Sequence, residues 1–483
     1  MAWKYAGKNI RPFSAVCGNR YGRQIIYTNQ ERITVDNIAE EVSKALTIHN
    51  QNANEIRYLD NYYRGDQPIR YRSKKVRPEV NNRIVENLAL YIVEVKTSEM
   101  AGEPIQYVLR GTDKAKSEQI KMLNQLMDGE DKSCDDIELC RWRSICGTAY
   151  RFVGKDDGRG RLLDESPFYL TVEEPTECFV AYYRSGAKEP AYSCQIRVDA
   201  EDNEYYFCYT QSEWFKIQNG EVIDHGINGN GMIPLIEYPN NARRLSDIEI
   251  TIDITDSINK MASDRDNGIE QFVSAWVKFI NCEIDEDTFH KMRDEGALVV
   301  KSNNGSENKA DVDVMTSELN QTQSQVAVND QYEKLLVIQG MSNRQDNTGG
   351  DTQGAVMLRN GHYDQEKRSE LYEPMYIKAE RKMLRIVLNQ LRIKKDFDLL
   401  PSDVEIHISR TKRDNMQTKA QVLQILLACG IEYSRAIKTV GLFSDPEQVA
   451  LESADRMNIL YPTTVEQTNP STDKVVVTDG SDE

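Results

Sequence analysis

The residue types that carry most enzyme chemistry are present in this 483-residue chain, but they are not spaced to perform it. Five histidines, at positions 49, 225, 290, 362 and 407, never come closer than 45 residues to one another, so no local metal-binding pair forms. Nine cysteines stand at 17, 134, 140, 146, 178, 194, 208, 282 and 429 with no Cys-x-x-Cys among them. An odd, scattered set reads as reduced thiols in a cytosolic setting. Cys134, Cys140 and Cys146 recur at steps of six, which turn the side chains to different faces of a helix and fit no zinc spacing, so these are expected to be small buried residues. No Gly-x-x-x-x-Gly-Lys-Ser/Thr cradles a phosphate, and neither His-Glu-x-x-His nor Gly-x-Ser-x-Gly occurs. Gly226-Ile-Asn-Gly-Asn-Gly231 has the glycine content of a phosphate loop, but Ile233-Pro234 follows it and a strand is expected there, which makes it a turn. Asp156 and Asp157 could share a metal, yet they lie between Ala149–Val153 and Arg161-Leu-Leu as the tip of a hairpin. The balance is against catalysis: no cofactor, no metal and no ATP hydrolysis of its own is expected.

Charge narrows the partners. Lys and Arg total 60 against 77 Asp and Glu, a net charge of −17, so duplex binding through a basic face is disfavoured. Apolar content of 39% and charged content of 28% are those of a globular chain, and the length suits two to four folded units. No run approaches the ~18 apolar residues of a membrane helix, and Met-Ala-Trp-Lys-Tyr-Ala-Gly-Lys lacks a signal-peptide core, so a soluble, non-exported protein is expected.

Elements follow from periodicity. Residues 31–63 carry Ile38, Val42, Ala45, Ile56 and Leu59 at helical spacing after Thr34 or Asp36 as a cap, and a second helix is read from about Asn81 through Ile84, Leu88, Ile92 and Val95 to Gly102. From Ile105 to Tyr238, short alternating segments indicate an antiparallel β-rich unit, interrupted by helix around 122–127 and 137–145. From Ser246 to Ile280 the spacing predicts one helix of roughly 50 Å. Opposite its apolar face runs a second stripe of Glu249, Asp253, Asp256, Lys260, Asp264 and Glu270, acidic apart from the lysine. A small α/β insert at 281–316 precedes a further helix over 317–338. Residues 341–354 then form a polar, glycine-rich loop of a length that is usually functional or disordered. A long helix from 355 to about 393 is expected to bend or break at Pro374. The strand Val404–Ser409, short helices near 415–428, 432–440 and 445–459, and a mobile polar tail complete the chain.

Tyr58-Leu-Asp-Asn-Tyr-Tyr-Arg-Gly-Asp-Gln-Pro-Ile69, Asn82-Arg-Ile-Val-Glu-Asn-Leu88, Ala101-Gly-Glu-Pro-Ile-Gln-Tyr107 and Ile233-Pro-Leu-Ile-Glu-Tyr-Pro-Asn-Asn-Ala242 leading into Leu245-Ser-Asp-Ile-Glu249 resemble, in order and spacing, the portal proteins of long-tailed bacteriophages over about residues 55–460. The resemblance implies an α+β portal fold. Its parts would be a wing of helices and β-rich structure (1–240), a stem helix (241–280), a small α/β clip (281–316), a second stem helix (317–340), a tunnel loop (341–354), a long kinked helix with a strand returning to the wing (355–412), a short crown (413–460) and a flexible tail (461–483). It also implies a ring, typically of twelve copies, at one capsid vertex of the virion. Through that ring a terminase motor packages double-stranded DNA that is later ejected, with the terminase large subunit, a head–tail adaptor, scaffold and major capsid protein as partners.

On this resemblance Asn343, Arg344, Gln345, Asn347, Gly349, Gly350 and Gly354 of the tunnel loop would meet DNA, the polar side chains touching phosphates without reading sequence and the glycines letting the backbone flex. The stripe Glu249, Asp253, Asp256, Asp264 and Glu270 would line the channel, repelling phosphates over a Debye length of ~8 Å so that the duplex slides. Asp285, Glu286, Asp287, Lys291 and Arg293 would form the docking surface of the clip. The same stripe could instead be an ordinary solvated helix face. The competing functional readings are a cytosolic nucleic-acid-processing enzyme with a β-rich domain and a helical appendage, or a different capsid or head-completion component.

Overall fold

The computed structural model describes residues 12–18, 20–74, 78–111, 113–155, 166–187, 189–273, 276–280, 311–315, 321–342, 362–395, 397–408, 416–441, 443, 449–450, 453 and 456. In chain order the elements are α1 (Phe13–Val16), β1 (Ile26–Thr28), α2 (Ile38–Tyr63), α3 (Leu88–Ala101), β2 (Gln106–Leu109), α4 (Lys114–Gly129), α5 (Lys132–Cys146), β3 (Thr148–Lys155), β4 (Phe168–Glu173), β5 (Cys178–Tyr183), β6 (Pro190–Val198), β7 (Glu204–Tyr209), β8 (Glu213–Gln218), β9 (Glu221–Ile227) and β10 (Leu235–Pro239). There follow α6 (Ile252–Val273), β11 (Trp276–Ile280), β12 (Asp311–Met315), α7 (Gln321–Gln339), α8 (His362–Lys395), β13 (Val404–His407), α9 (Met416–Ala428) and α10 (Tyr433–Val440).

The mixed α+β class expected from the sequence is observed. A six-stranded sheet runs β1-β5-β6-β7-β8-β9, antiparallel apart from the parallel pair β1–β5, and a three-stranded sheet runs β10-β3-β4. β3 and β4 pair antiparallel around residues 156–165, which include Asp156 and Asp157 and lie outside the described residues. The turn expected at 226–231 lies slightly later, since Gly226 and Ile227 still belong to β9; residues 228–232 turn the chain toward β10, and the Asn228 side-chain amide donates to the Thr210 and Met232 carbonyls at 2.8 Å. β13 pairs with β2 from Val404↔Leu109 to His407↔Gln106, so a strand near the end of the chain completes a sheet begun near its start.

Several expectations change. Residues 81–87 are extended, and the second helix begins only at Leu88. α8 is continuous from His362 through Pro374 to Lys395. The thiols of Cys134 and Cys429 are exposed, while Cys17, Cys140, Cys146, Cys178, Cys194 and Cys208 are buried. Apart from scattered positions, the 445–459 segment lies outside the described residues.

α8 is the spine of the largest core. Tyr376, Ala379, Met383, Val387 and Leu391 follow the three-and-four spacing of one helical face and pack against side chains of β2, α4, α5, β3, β10 and β13. In the middle of that face stands a carboxylate, Glu380. It accepts from the Tyr107 hydroxyl at 2.6 Å and the Tyr238 hydroxyl at 2.7 Å, and faces Lys132 Nζ at 2.8 Å and Arg151 Nη1 at 3.6 Å. Asp136 is the second anion, bonded to Lys132 Nζ at 2.6 Å, to Arg151 Nη2 at 2.7 Å and to the Tyr376 hydroxyl at 3.0 Å. Burial pulls the Asp136 carboxyl upward, but Lys132 and Arg151 outweigh it and hold the group below its ordinary value. Burial, with Glu380 beside them, pushes the Tyr107 and Tyr238 hydroxyls well up, so both remain donors. Two cations and two anions thus cancel inside an apolar core. Such a group tolerates the loss of a member badly, because the charge left behind has no solvent. Glu380→Ala is expected to destabilise the fold by about 3–5 kcal/mol, seen as a lower Tm in thermal unfolding. Glu40→Ala, which removes an exposed partner of Lys44, should leave Tm unchanged.

Candidate functional site

The chain leaves the sheets at residues 240–251, and a polar knot fixes how it does so. Arg244 donates to Glu237 from Nε (2.5 Å) and Nη2 (2.7 Å), and the Tyr182 hydroxyl donates to the same carboxylate at 2.5 Å. Ser246 Oγ donates to the Ile145 carbonyl at 2.6 Å, and Ser144 Oγ donates to Asp247 at 2.8 Å. Arg23 reaches Glu55 at 2.9 Å and Glu249 at 2.5 Å. The backbone of 243–245 passes so closely that a Cβ on Gly147 would lie 2.1 Å from the Arg244 carbonyl oxygen. Gly147 also holds φ +85°, a region that favours glycine.

This knot changes the reading of the long helix. It starts at Ile252, not Ser246, and ends at Val273. Trp276–Ile280 forms β11, paired antiparallel with β12 from Trp276↔Met315 to Ile280↔Asp311. Trp-Val-Lys-Phe-Ile is rich in the β-branched and aromatic types that favour a strand, and the partner strand across the insert decides the matter. α6 and α7 pack on α3 through Ile258, Val328, Leu335, Leu336, Leu88 and Ile92.

The opposite side of α6 is polar and equally buried. Thr255, Asn259, Ser263 and Asn267 recur every four residues. Three of them hold the extended 81–87 segment: the Asn82 amide donates to Asn267 Oδ1 (2.7 Å), the Ile84 amide to Ser263 Oγ (2.9 Å) and the Glu86 amide to Asn259 Oδ1 (2.9 Å). Four helical residues rise about 6 Å and two extended residues about 6.6 Å. Alternate amides of the segment therefore keep step with successive turns of α6, and the segment gains strand-like hydrogen bonding from a helix. Asn87, at φ +40°, then turns the chain into α3, its side chain bonded to Gln67 Nε2 at 3.1 Å and to the Tyr63 carbonyl at 3.0 Å.

The expected stripe does not run as one surface. Glu249 precedes α6, is only 2% exposed and belongs to the internal knot with Arg23, which corrects its assignment to the outer face. Asp256 is half-buried, accepts from the Tyr62 hydroxyl at 2.8 Å and is pushed by burial up to about 6. Asp264 pairs with Arg72, and Glu270 accepts from Asn82 Nδ2 at 2.9 Å. Asp253 is exposed. Asn343, Arg344, Gln345, Asn347, Gly349, Gly350 and Gly354, like Asp285, Glu286, Asp287, Lys291 and Arg293, lie outside the described residues. The ladder residues Asn259, Ser263 and Asn267 escaped sequence reading, although small polar residues at every fourth position of a helix are a readable stripe. Among the described residues, no group of three His, Cys, Asp or Glu side chains is placed to hold a metal. Nor is any helix long and apolar enough to cross a membrane. What the site offers is mechanical: a pair of long helices fixed at one end by ion pairs and along its side by the ladder. Ser263→Ala removes the acceptor of the Ile84 amide, at a cost of about 1–3 kcal/mol. Faster hydrogen exchange at Ile84, with exchange in the six-stranded sheet unchanged, is the expected readout.

A search of curated proteins returns no match. Among solved structures, a chain of "Neck of empty GTA particle computed with C6 symmetry" is similar at 11% identity and a TM-score of 0.40, covering 73% of this chain and 90% of that one. The sequence model of one family, described as phage portal protein, SPP1 Gp6-like, matches residues 43–456. That span takes in the knot, the ladder, both long helices and α8, and the chain therefore belongs to the SPP1 Gp6-like family of phage portal proteins.

Proposed function

We propose that copies of this chain close into a ring, about a dozen strong, at one vertex of a capsid, and that double-stranded DNA enters and leaves through its axis. Family membership supports this reading, and one structural observation carries it. The long helices bear exposed apolar side chains: Ile269 on α6, Val326, Val337 and Ile338 on α7, and Leu371 and Ile393 on α8, with Leu371 74% and Val337 69% exposed. Large exposed apolar residues gathered on the same elements mark surfaces that meet another protein, and a cyclic arrangement buries such faces on every copy at once.

In this reading α6 and α7 form the stem, residues 281–316 the clip that meets the terminase motor and then the head–tail adaptor, and residues 341–354 the tunnel loop. Asp253, Asp264 and Glu270 remain the carboxylates suited to a channel wall, since they are exposed and their charge keeps phosphates from binding tightly. Arg344 is the cation of the loop that would touch the passing backbone. The chain conducts and docks, while the motor supplies the work.

Native mass measurement of the purified protein should give a large multiple of 55.4 kDa with an axial hole in end-on electron micrographs. A monomer or dimer at every concentration and ionic strength contradicts the proposal and favours the processing-enzyme reading. Arg344→Ala should assemble rings normally yet change the amount of DNA packaged or retained. Unchanged packaging in that variant removes Arg344 from the mechanism.

A further inference from the structure

Where α3, α5 and α8 converge on the end of α7 there is a cavity of about 40 Å³, lined among others by Lys96, Glu99, Arg143, Asp247, Gln339 and Arg368. Arg143 is 3% exposed, and its Nε and Nη2 are buried without a hydrogen-bond partner among the described residues. Its guanidinium carbon lies 5.1 Å from the centroid of the Tyr376 ring, a contact that leaves those N–H groups unanswered. Both carboxylates of the cavity are engaged elsewhere. Asp247 accepts from Ser144 Oγ (2.8 Å) and Asn240 Nδ2 (3.2 Å) and faces Lys96 Nζ at 3.5 Å, and Glu99 accepts from Gln365 and from Ser369 at 3.3 Å. Arg368 donates to the Ile338 carbonyl at 2.8 Å and lies across Gly340, where a Cβ would sit 2.3 Å from its Cδ. Of the three cations in the lining, Lys96 faces Asp247 and Arg368 is exposed to solvent, whereas the Arg143 guanidinium is cut off from solvent and has no ion pair among the described residues. A buried charge with no counter-charge is among the least favourable arrangements a fold can hold.

We propose that this cavity binds one small inorganic monoanion, of the size of chloride, hydrogen-bonded to Arg143 Nε and Nη2. The volume sets the class: at roughly 10–15 Å³ per water the space admits one such ion or about three to four waters, and no nucleotide or sugar. The ion neutralises the Arg143 guanidinium and joins α5 to the first turns of α8 and the last turn of α7.

The test uses the full-length protein. Tm is measured in sodium chloride and in sodium gluconate at equal ionic strength, gluconate being too large to enter. The expected result is a Tm higher by about 2 °C or more in chloride, rising to saturation, with the difference abolished in Arg143→Met. In crystals grown with bromide in place of chloride, an anomalous peak at hydrogen-bond distance from the Arg143 guanidinium is expected. Equal Tm in the two salts, a shift that survives in Arg143→Met, or ordered water alone at the site each overturn the proposal. Should Arg143→Met fail to fold, the wild-type salt comparison and the bromide signal still decide it.

Discussion

Four charges buried in the apolar centre constrain everything else in this molecule. Lys132 and Asp136 on α5 and Arg151 on β3 lie close together in the chain, but the charges balance only when Glu380 arrives on α8, some 250 residues later. Such a group is a poor source of net stability compared with an apolar replacement, but a strict selector of geometry: a turn's rotation of α8 would bury Glu380 against hydrocarbon. Tyr107, Tyr238 and Tyr376 sharpen the selection by supplying hydroxyls that fit only this arrangement. The register of α8 against the sheets is therefore fixed electrostatically, and the direction in which its far end projects is fixed with it.

The same principle recurs at the base of α6. Arg23, Glu55 and Glu249 hold the entry to the helix, and Asn259, Ser263 and Asn267 hold its flank through backbone amides of residues 82–86. Polar fastening of this kind is directional, whereas an apolar face permits sliding. For a protein of the portal family, whose members act as parts of a larger particle, a fixed angle between body and projecting helices is worth more than a larger core.

What could be read from sequence was whatever depended on near neighbours. The spacing of Met383, Val387 and Leu391 announced α8, alternation announced β13, and Ile233-Pro234 correctly excluded a phosphate loop at 226–231. Family membership was legible because several short motifs keep their order and separation over most of the chain, although each alone is weak. Three of the failures share one cause. Ile84 and Leu88 stand at helical spacing, yet the segment before Leu88 is extended because acceptors nearly 180 residues away on α6 take its amides. Glu249 and Asp253 are four apart and seemed to share a face, but Arg23 draws Glu249 inward. Trp276–Ile280 continued a helical pattern until a partner strand across an insert claimed its backbone. Long-range partners leave no local trace.

The pairing of β13 with β2, and of Glu380 with Lys132, has a consequence for how the chain is made. The first half of the polypeptide emerges from the ribosome without the helix that fills its centre, and Lys132 waits for Glu380 during the synthesis of some 250 residues, roughly 10–50 s at ordinary elongation rates. Until then Lys132 and Arg151 outnumber their carboxylate, and the apolar faces of α4, α5 and β3 are covered only in part, by β2, β4 and β10. The nascent chain therefore carries its least satisfied core late in translation, until α8 docks and Glu380 reaches Lys132 and Arg151.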